Sequence, residues 1–250
     1  MARLGRLAEG TPVALELLQP GSSWRLTAPL DLTSHWSGPG LATQAAAGRF
    51  FTVVDSLPPG ASRLRVRLLE DGYPGWVDPR QLLGHARACQ PPQPLLLDAA
   101  QISRALPAVL AFAERARQQP NQYLWGGTLG PDFDCSGLVQ AAFASAGIWL
   151  PRDAYQQERF CQPVAVQPGC YSLLRPGDLI FFGRPQRCTH VGLYVGAGRY
   201  LHSSGREHGR NGIGIDGLDP QLQDPVGVHY RRELRGAGRV VRCHDGSSLP

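Results

Sequence analysis

Apolar and polar residues alternate along two short segments in the first third of the chain. Residues 64–68 read Leu-Arg-Val-Arg-Leu, and residues 51–54 read Phe-Thr-Val-Val. A period of two is typical of half-buried β-strands. Glycine and proline recur between such segments, for example at Asp71-Gly72, which favours a small all-β barrel over helices. The first third is therefore predicted to be a domain of strands.

Proline clusters just after this region, where residues 89–94 read CQPPQP. Proline-rich segments without periodicity act as semi-rigid spacers between domains. A chain of 250 residues is also long enough for two domains that each have a core. We therefore predict an all-β domain over 1–90, a linker over 91–99, a second domain over 100–243 and a tail over 244–250.

The hydrophobic period changes to that of helices after the linker. An amphipathic helix is predicted from apolar residues spaced three or four apart, namely Ile102, Leu106, Val109, Leu110, Ala113 and Ala116. Asp98 suits its N-cap, and Pro107 indicates a later start or a kink. A second helix is predicted from the apolar run between Leu138 and Phe143, ending before Gly147, which suits the left-handed conformation past a helix end.

Strand patterns follow the helices. Residues 178–182 read Asp-Leu-Ile-Phe-Phe, and residues 189–195 alternate in strand fashion before Gly196-Ala197-Gly198. The chain then returns through residues 199–204, which predicts a β-hairpin. Helices followed by a run of strands indicate an α+β domain.

Charge and composition exclude several partners. Arginine supplies all 25 basic residues and lysine none, against 20 acidic residues, for a net charge of +5. The arginines are scattered and are not interleaved with aromatic residues, so we expect no nucleic-acid binding. No segment reaches the length of a membrane span, so we expect no membrane partner. The oligomeric state stays open.

The start of the chain and the cysteines bear on location. Glu9, Pro12 and Glu16 interrupt the apolar character of the first twenty residues, and no secretory-signal pattern follows, so we expect a cytoplasmic protein. Six irregularly spaced cysteines do not resemble a disulfide framework. Five of them are predicted to be plain free thiols: Cys89, Cys161, Cys170, Cys188 and Cys243.

The sixth cysteine, Cys135, lies where the second predicted helix begins. The free N–H groups and the dipole of a helix N-terminus favour an anion, so we expect the pKa of this thiol to fall below its free value of about 8.5. A thiolate is the nucleophile that acyl transfer needs. Asp134 suits the N-cap of the same helix whether or not Cys135 reacts. The alternative is a buried structural cysteine.

Two histidines of the predicted hairpin supply a base. An odd-length loop places His190 and His202 on one face, near enough for one imidazole to orient the other, whereas a two-residue loop sends them to opposite faces. The other five are interpreted as structural or surface residues: His35, His85, His208, His229 and His244. A zinc site built from Cys188, His190 and Cys135 lacks paired ligand spacing. We therefore predict no metal and no cofactor.

Five segments together resemble a known family. They are YLWGG (123–127), DCSGLVQAAF (134–143), PRDAYQQ (151–157), LRPGDLIFF (174–182) and THVGLYVGAGRYLHSSG (189–205). They resemble the NlpC/P60 family of papain-like cysteine peptidases, which act on bacterial cell-wall peptides. The resemblance implies Cys135 as nucleophile, His190 as general base and then acid, and His202 as the residue that orients His190. Residues 75–82 resemble the end of a bacterial SH3-like module.

This combination implies a particular substrate. Related enzymes with an SH3-like module cleave the bond between γ-linked D-glutamate and a diamino acid, in murein peptides with a free N-terminal L-alanine. Such peptides arise in cell-wall recycling. The alternatives are a papain-like amidase or acyltransferase on another cell-wall or lipid substrate, and an inactive module that binds wall peptides.

The resemblance also implies residues that recognise the free amine of that substrate. In this subgroup the SH3-like module presents a tyrosine to the substrate ammonium, and the matching residue here is Tyr73. Asp134 is the predicted anionic partner of the ammonium, because a carboxylate beside the nucleophile can pair with it. Barrel core and exposed turn are the alternatives for Tyr73.

The remaining substrate-side predictions lie close to the nucleophile. Tyr123 is predicted to donate a hydrogen bond to the oxyanion, and Trp125 to form an apolar wall. Arg152, with Asp153, is predicted to bind the free α-carboxylate of glutamate, with an internal salt bridge as the alternative. Ser136 is a predicted polar contact that could equally serve local backbone bonding.

Overall fold

A computed structural model describes residues 7–57 and 60–247 of the protein. The chain divides into two units by its contacts, Met1–Pro94 with Asp245–Pro250, and Leu95–His244. The division falls inside the segment 91–99 assigned to the linker. The first six residues, on which part of the localisation expectation depends, lie outside the described residues.

The first unit is built from antiparallel strands, as the sequence predicts. Its strands are β1 (Ser23–Leu26), β2 (Leu30–Thr33), β3 (Leu41–Ala45), β4 (Phe50–Val53), β5 (Leu64–Leu68), β6 (Pro74–Val77) and β7 (Ala86–Ala88), with 3₁₀ turns at Leu15–Leu17 and Pro79–Leu82. The sheet order is β3-β2-β6-β5-β4-β1-β7. Alternate residues such as Val66 and Leu68 are buried around Trp24, which explains the period of two.

A buried ion cluster holds the turn between β5 and β6. The Arg49 guanidinium lies 3.1 Å from the Glu70 carboxylate and 2.9 Å from that of Asp71. Glu70 also accepts from the Phe50 N–H at 2.8 Å, and Asp71 accepts from the Tyr73 N–H at 3.1 Å. Tyr73 is half-buried in this turn. Its backbone is therefore fixed by charges that are removed from water.

The second unit has α+β architecture, which confirms the predicted fold class. Its helices are α1 (Ala99–Gln118), α2 (Cys135–Ala144), α3 (Ala154–Phe160) and α4 (Pro225–Arg232). Its strands are β8 (Gln162–Val164), β9 (Leu179–Arg184), β10 (Arg187–Gly196), β11 (Arg199–Ser204), β12 (Gly212–Gly217) and β13 (Leu234–Arg239). They form one antiparallel sheet in the order β12-β11-β10-β9-β13-β8.

Helix α1 begins with a capping box. The Asp98 carboxylate accepts from the Gln101 N–H at 2.8 Å, and the Gln101 side chain accepts from the Asp98 N–H at 2.8 Å. The predicted cap is confirmed. The later start that Pro107 indicated is wrong, because these bonds satisfy the N-terminal N–H groups and the helix runs through Pro107 from Ala99.

Two apolar clusters lie on opposite faces of the second sheet. Leu179 and Phe181 of β9 pack with residues of α1, α2 and α3, whereas Ile180 and Phe182 pack with Tyr230 of α4. Successive side chains of a strand point to opposite faces, so the four residues from Leu179 to Phe182 are all apolar. Within residues 7–57 and 60–247, no helix has the length and apolar character needed to cross a membrane.

Candidate active site

Cys135 is the first residue of α2, as predicted. The Asp134 carboxylate caps this helix by accepting from the Gly137 N–H at 2.6 Å. Gly137 is required here, because a Cβ atom at that position would collide with the carbonyl oxygen of Gly127. The loop before the helix thus packs directly on its first turn. Gly147 is left-handed at φ +76°, which confirms the predicted helix end.

The hairpin of β10 and β11 brings the two histidines together. Leu193 pairs with Leu201, a register that puts His190 and His202 on one face at diagonal positions. Their rings are joined from His190 Nε2 to His202 Nδ1 at 2.7 Å. The turn itself contains two residues, but the register shifts between Tyr194 and Gly196. This bulge restores the odd offset that a two-residue loop alone would lose.

The hydrogen-bonded chain continues past His202 to residues that sequence reasoning missed. His202 Nε2 lies 2.5 Å from Asp216 Oδ2, and Arg210 Nη2 lies 2.6 Å from Asp216 Oδ1. Tyr230 of α4 stacks on the His190 ring, with centroids 4.1 Å apart and an angle of 21° between the planes. One signal could have found Asp216: in the pattern GIGIDG (212–217) it is two residues from the position opposite His202, on the same face.

A second buried network lies beside Cys135. Arg152 is 1% exposed, and its guanidinium binds both oxygens of Asp134, at 2.6 and 3.1 Å. Arg152 also donates to the Ser136 hydroxyl at 3.0 Å, and Asp134 Oδ2 accepts from the Gly126 N–H at 2.9 Å. Arg152 therefore forms an internal salt bridge with Asp134, whereas the alternative left open above was a salt bridge of Arg152 with Asp153. Contacts of these residues with substrate stay predictions.

The remaining predicted substrate residues are placed as follows. Tyr123 is half-buried in the loop before α2, and Trp125 is 73% exposed. Asp153 is the N-cap of α3, where its N–H donates to the Gln156 side chain at 3.3 Å. Tyr73 belongs to the first unit, in the turn described above. None of the four has yet been tested as a substrate contact.

Two segments of the sequence match the models of known domain families. Residues 120–230 match the model of the NlpC/P60 family, and residues 37–82 match that of the bacterial dipeptidyl-peptidase Sh3 domain. The chain contains an NlpC/P60 domain. The helix that begins at Cys135 and the hairpin of β10 and β11 both lie inside the NlpC/P60 match. The strands β3 to β6 lie inside the Sh3 match.

Individual relatives agree with this identification. A bifunctional muramidase/DL-endopeptidase of Bacillus subtilis (strain 168) is 42% identical over 132 residues, which are 51% of this chain and 35% of the relative. A gamma-D-glutamyl-L-lysine dipeptidyl-peptidase of the same strain is 42% identical over 84 residues, 32% of this chain and 27% of the relative. The matches thus span about a third or less of these curated relatives.

A solved structure shows the fold. The crystal structure of an NlpC/P60 family protein from Bacillus cereus is 20% identical, with a TM-score of 0.63 over 88% of this chain and 100% of that chain. The fold prediction, an NlpC/P60 domain preceded by an SH3-like domain of strands, is therefore confirmed.

The thiol of Cys135 is neutral at rest. Burial, and then the negative charge of Asp134, raises the pKa of Cys135 to about 12. The sequence-based expectation of a lowered pKa is wrong. Hydrogen bonds from the N–H groups of Val191 and Ser136 do lower the pKa, but the removal of the thiol from water outweighs them.

The rings of His190 and His202 are also neutral. Burial, followed by the charge of His202, holds the pKa of His190 well below 6.5. Burial lowers the pKa of His202 as well, although Asp216 opposes the shift. Asp216 is itself buried, yet its bonds to His202 and the charge of Arg210 keep its pKa low. The resting site therefore contains a carboxylate, two neutral rings and a thiol.

These pKa shifts predict an acid-sensitive fold. In the unfolded chain both rings take up a proton near pH 6.5, whereas in the folded domain each ring takes up its proton only at a lower pH. The unfolded state then binds more protons, so stability falls as the pH drops below about 6.5, by up to about 1.4 kcal/mol per pH unit for each ring. Urea unfolding between pH 8 and 5 measures this slope. His190→Gln removes one of the two titrating rings, so it should reduce the slope of stability against pH by up to the share of one proton. Equal stability at pH 7.5 and 5 would contradict the pKa shifts.

Across residues 7–57 and 60–247, no group of three or more histidine, cysteine, aspartate or glutamate side chains is placed to hold an ion. Cys188, which the sequence offered as a zinc ligand, instead directs its thiol to the carbonyl oxygen of His190 at 3.3 Å.

Proposed function

We propose that this protein is a cysteine peptidase that hydrolyses the bond between γ-linked D-glutamate and a diamino acid in cell-wall peptides. The observation that carries the proposal is the position of Cys135 at the start of α2. Its sulfur accepts a hydrogen bond from the N–H of Val191, the residue after His190, and His190 is hydrogen-bonded to His202. The relatives named DL-endopeptidase and gamma-D-glutamyl-L-lysine dipeptidyl-peptidase support this reaction class.

The neutral resting state sets the order of proton transfers. His190 takes the thiol proton as Cys135 Sγ attacks the γ-carbonyl carbon, and then gives it to the departing amine. Water hydrolyses the resulting thioester. Burial, followed by the charges of Cys135 and Asp134, raises the pKa of Tyr123. Its hydroxyl therefore keeps its proton and is able to donate to the oxyanion.

The free N-terminal amine of the substrate is part of the proposal. Tyr73 and Asp134 are the residues proposed to read it. Asp134 already accepts from Arg152, Gly126 and Gly137, so an ammonium would share this carboxylate with Arg152. We infer that the Asp134–Arg152 pair sets the charge of the part of the site that receives the amine end of the peptide.

Selection for the free amine predicts a difference between two peptides. L-Ala-γ-D-Glu-diaminopimelate should be cleaved with a kcat/KM about 10- to 100-fold higher than its N-acetylated form, the value of one charge-assisted hydrogen bond. Tyr73→Phe should reduce this ratio, whereas Tyr171→Phe, which removes a hydroxyl bonded to the Leu218 carbonyl, should preserve it. Equal rates for both peptides would contradict the selection without affecting the nucleophile.

The physiological setting and the rival activities have separate tests. A role in recycling and a cytoplasmic location are proposed together, and cell fractionation tests them. An amidase or acyltransferase would leave the γ-glutamyl bond intact and act on another amide or on a lipid. An inactive binding module would bind the peptide without cleaving it, and binding without any product in mass spectrometry would identify it.

A further inference from the structure

A buried carboxylate ends the chain of side chains that starts at His190. Asp216 is 6% exposed and His202 is fully buried, so the hydrogen bond between them is shielded from solvent. A carboxylate can only accept hydrogen bonds, whereas each nitrogen of a neutral imidazole either donates or accepts. Asp216 therefore determines which ring nitrogen carries the proton in His202 and, through it, in His190.

The tautomers follow one after another. Asp216 Oδ2 accepts, so His202 Nε2 carries a proton, and in a neutral ring His202 Nδ1 must then accept. His190 Nε2 must donate to that atom across 2.7 Å. This leaves His190 Nδ1 without a proton, as the nitrogen that serves as the base. The reverse tautomer of His190 would place a proton on Nδ1 and could not receive one from the thiol.

Arg210 prevents a second arrangement that would also disable His190. The unopposed charge of Asp216 favours a protonated His202, whose Nδ1–H would donate to His190 Nε2 and force the proton of His190 onto Nδ1. Arg210 balances Asp216 at 2.6 Å, and its charge lowers the pKa of His202. Gly214, which pairs with His202, makes room for this arginine, because a Cβ atom there would overlap its guanidinium.

We propose that Asp216 and Arg210 are positioning residues that set the tautomer of His190 through His202. The proposal rests on the proposed function in one respect, that His190 Nδ1 is the base for Cys135. It assigns no substrate contact to either residue.

Nitrogen-15 NMR of the histidine rings in the free protein tests the proposal without any substrate. Protonated and unprotonated ring nitrogens have well-separated shifts, so each tautomer is read directly. At pH 7.5 we expect protons on Nε2 of both His190 and His202. A proton on Nδ1 of His190 in the unsubstituted protein would overturn the proposal, whatever peptide the enzyme cleaves.

Asp216→Asn should reverse both tautomers. Arg210 holds the amide oxygen toward itself, so the amide nitrogen donates to His202 Nε2 and the protons move to Nδ1 of each ring. We expect kcat to fall by about 10²- to 10⁴-fold, as when a buried carboxylate that fixes a catalytic histidine is replaced by its amide. The matched control is Asp178→Asn, since Asp178 is 2% exposed and also binds an arginine, Arg239. An Asp216→Asn protein that keeps both Nε2 protons and full activity would overturn the proposal.

Substitution of Arg210 should change the pH dependence of kcat/KM. Arg210→Met should move the acid limb of kcat/KM upward by about one pH unit or more, because His202 then protonates more readily. Arg210→Lys, which keeps the charge, should restore the profile. Arg239→Met removes an arginine of equal exposure, 29% against 28%, and should leave the profile unchanged.

Other titratable or charged groups near the two rings could also contribute to the pH profile. Those that face His202 or His190 from neighbouring elements are Asp216, Arg210, Asp224, Tyr200, Tyr230, His208 and His229. Loss of activity in Arg210→Met that is uniform across pH would mean a structural role and would overturn the proposed one. If no variant or parent cleaves any wall peptide, the proposed function fails, but the NMR result still stands on its own.

Discussion

Cys135→Ala is expected to abolish hydrolysis of the γ-D-glutamyl bond, with kcat reduced by about 10⁴-fold or more. In the proposed reaction the thiol forms the covalent bond to the peptide, so no other group in the site can replace it once the sulfur is gone. Peptide hydrolysis followed by mass spectrometry measures the loss. A change in KM alone is not expected, because the substituted atom acts on the reacting carbonyl.

A second buried cysteine supplies the control for this result. Cys161 is 6% exposed, as Cys135 is, and burial also raises its pKa to about 12. Cys161→Ala should nevertheless keep its activity, because that thiol packs against Gly238 and takes part in no relay. Hydrolysis that survives in Cys135→Ala, or that disappears in Cys161→Ala while the protein stays folded, would remove Cys135 as the nucleophile.

Arg152→Met is expected to lower the free energy of unfolding of the NlpC/P60 domain by about 3–5 kcal/mol. The substitution leaves the Asp134 carboxylate, 6% exposed, without its cation and removes a donor from the Ser136 hydroxyl. Breaking a buried pair from one side costs this much because the remaining charge stays away from water. Equilibrium unfolding in urea at pH 7.5 measures the change.

An exposed ion pair sets the scale for that measurement. Arg117 and Glu114 on α1 lie 2.6 Å apart with side chains 37% and 39% exposed, so Arg117→Met should cost about 1 kcal/mol or less. Combining Asp134→Asn with Arg152→Met should recover part of the loss, because no unpaired charge remains. A cost below about 1 kcal/mol for Arg152→Met alone would show that the pair is not a structural element.

The sequence was sufficient where local patterns determine structure. The cap at Asp134 and the turn at Gly147 bracket α2 and place Cys135 at its start. The parity of the hairpin places His190 beside His202. The bulge near the turn could not be read from the pattern, although it is what preserves that parity. The placement of Cys135 was thus predictable, because it depends on residues close in sequence. The shared face of His190 and His202 was predicted correctly, but it arises from a two-residue turn with a bulge and not from the expected odd-length loop.

Long-range burial and pairing explain what the sequence missed. The direction of the Cys135 pKa depends on how completely the folded domain excludes water, which the helix dipole argument ignores. Arg152 pairs with Asp134 eighteen residues away, and Arg210, just before β12, pairs with Asp216 inside that strand. Arginine has many candidate partners in a chain with 20 acidic residues. Only the packed structure selects among them.

The products formed from L-Ala-γ-D-Glu-diaminopimelate show which bond the protein cleaves. We expect the intact protein to release L-Ala-D-Glu and free diaminopimelate, both identified by mass spectrometry. These products should disappear with Cys135→Ala. An uncleaved peptide, or cleavage between L-alanine and D-glutamate, would show that the protein is not a γ-D-glutamyl-diamino acid peptidase.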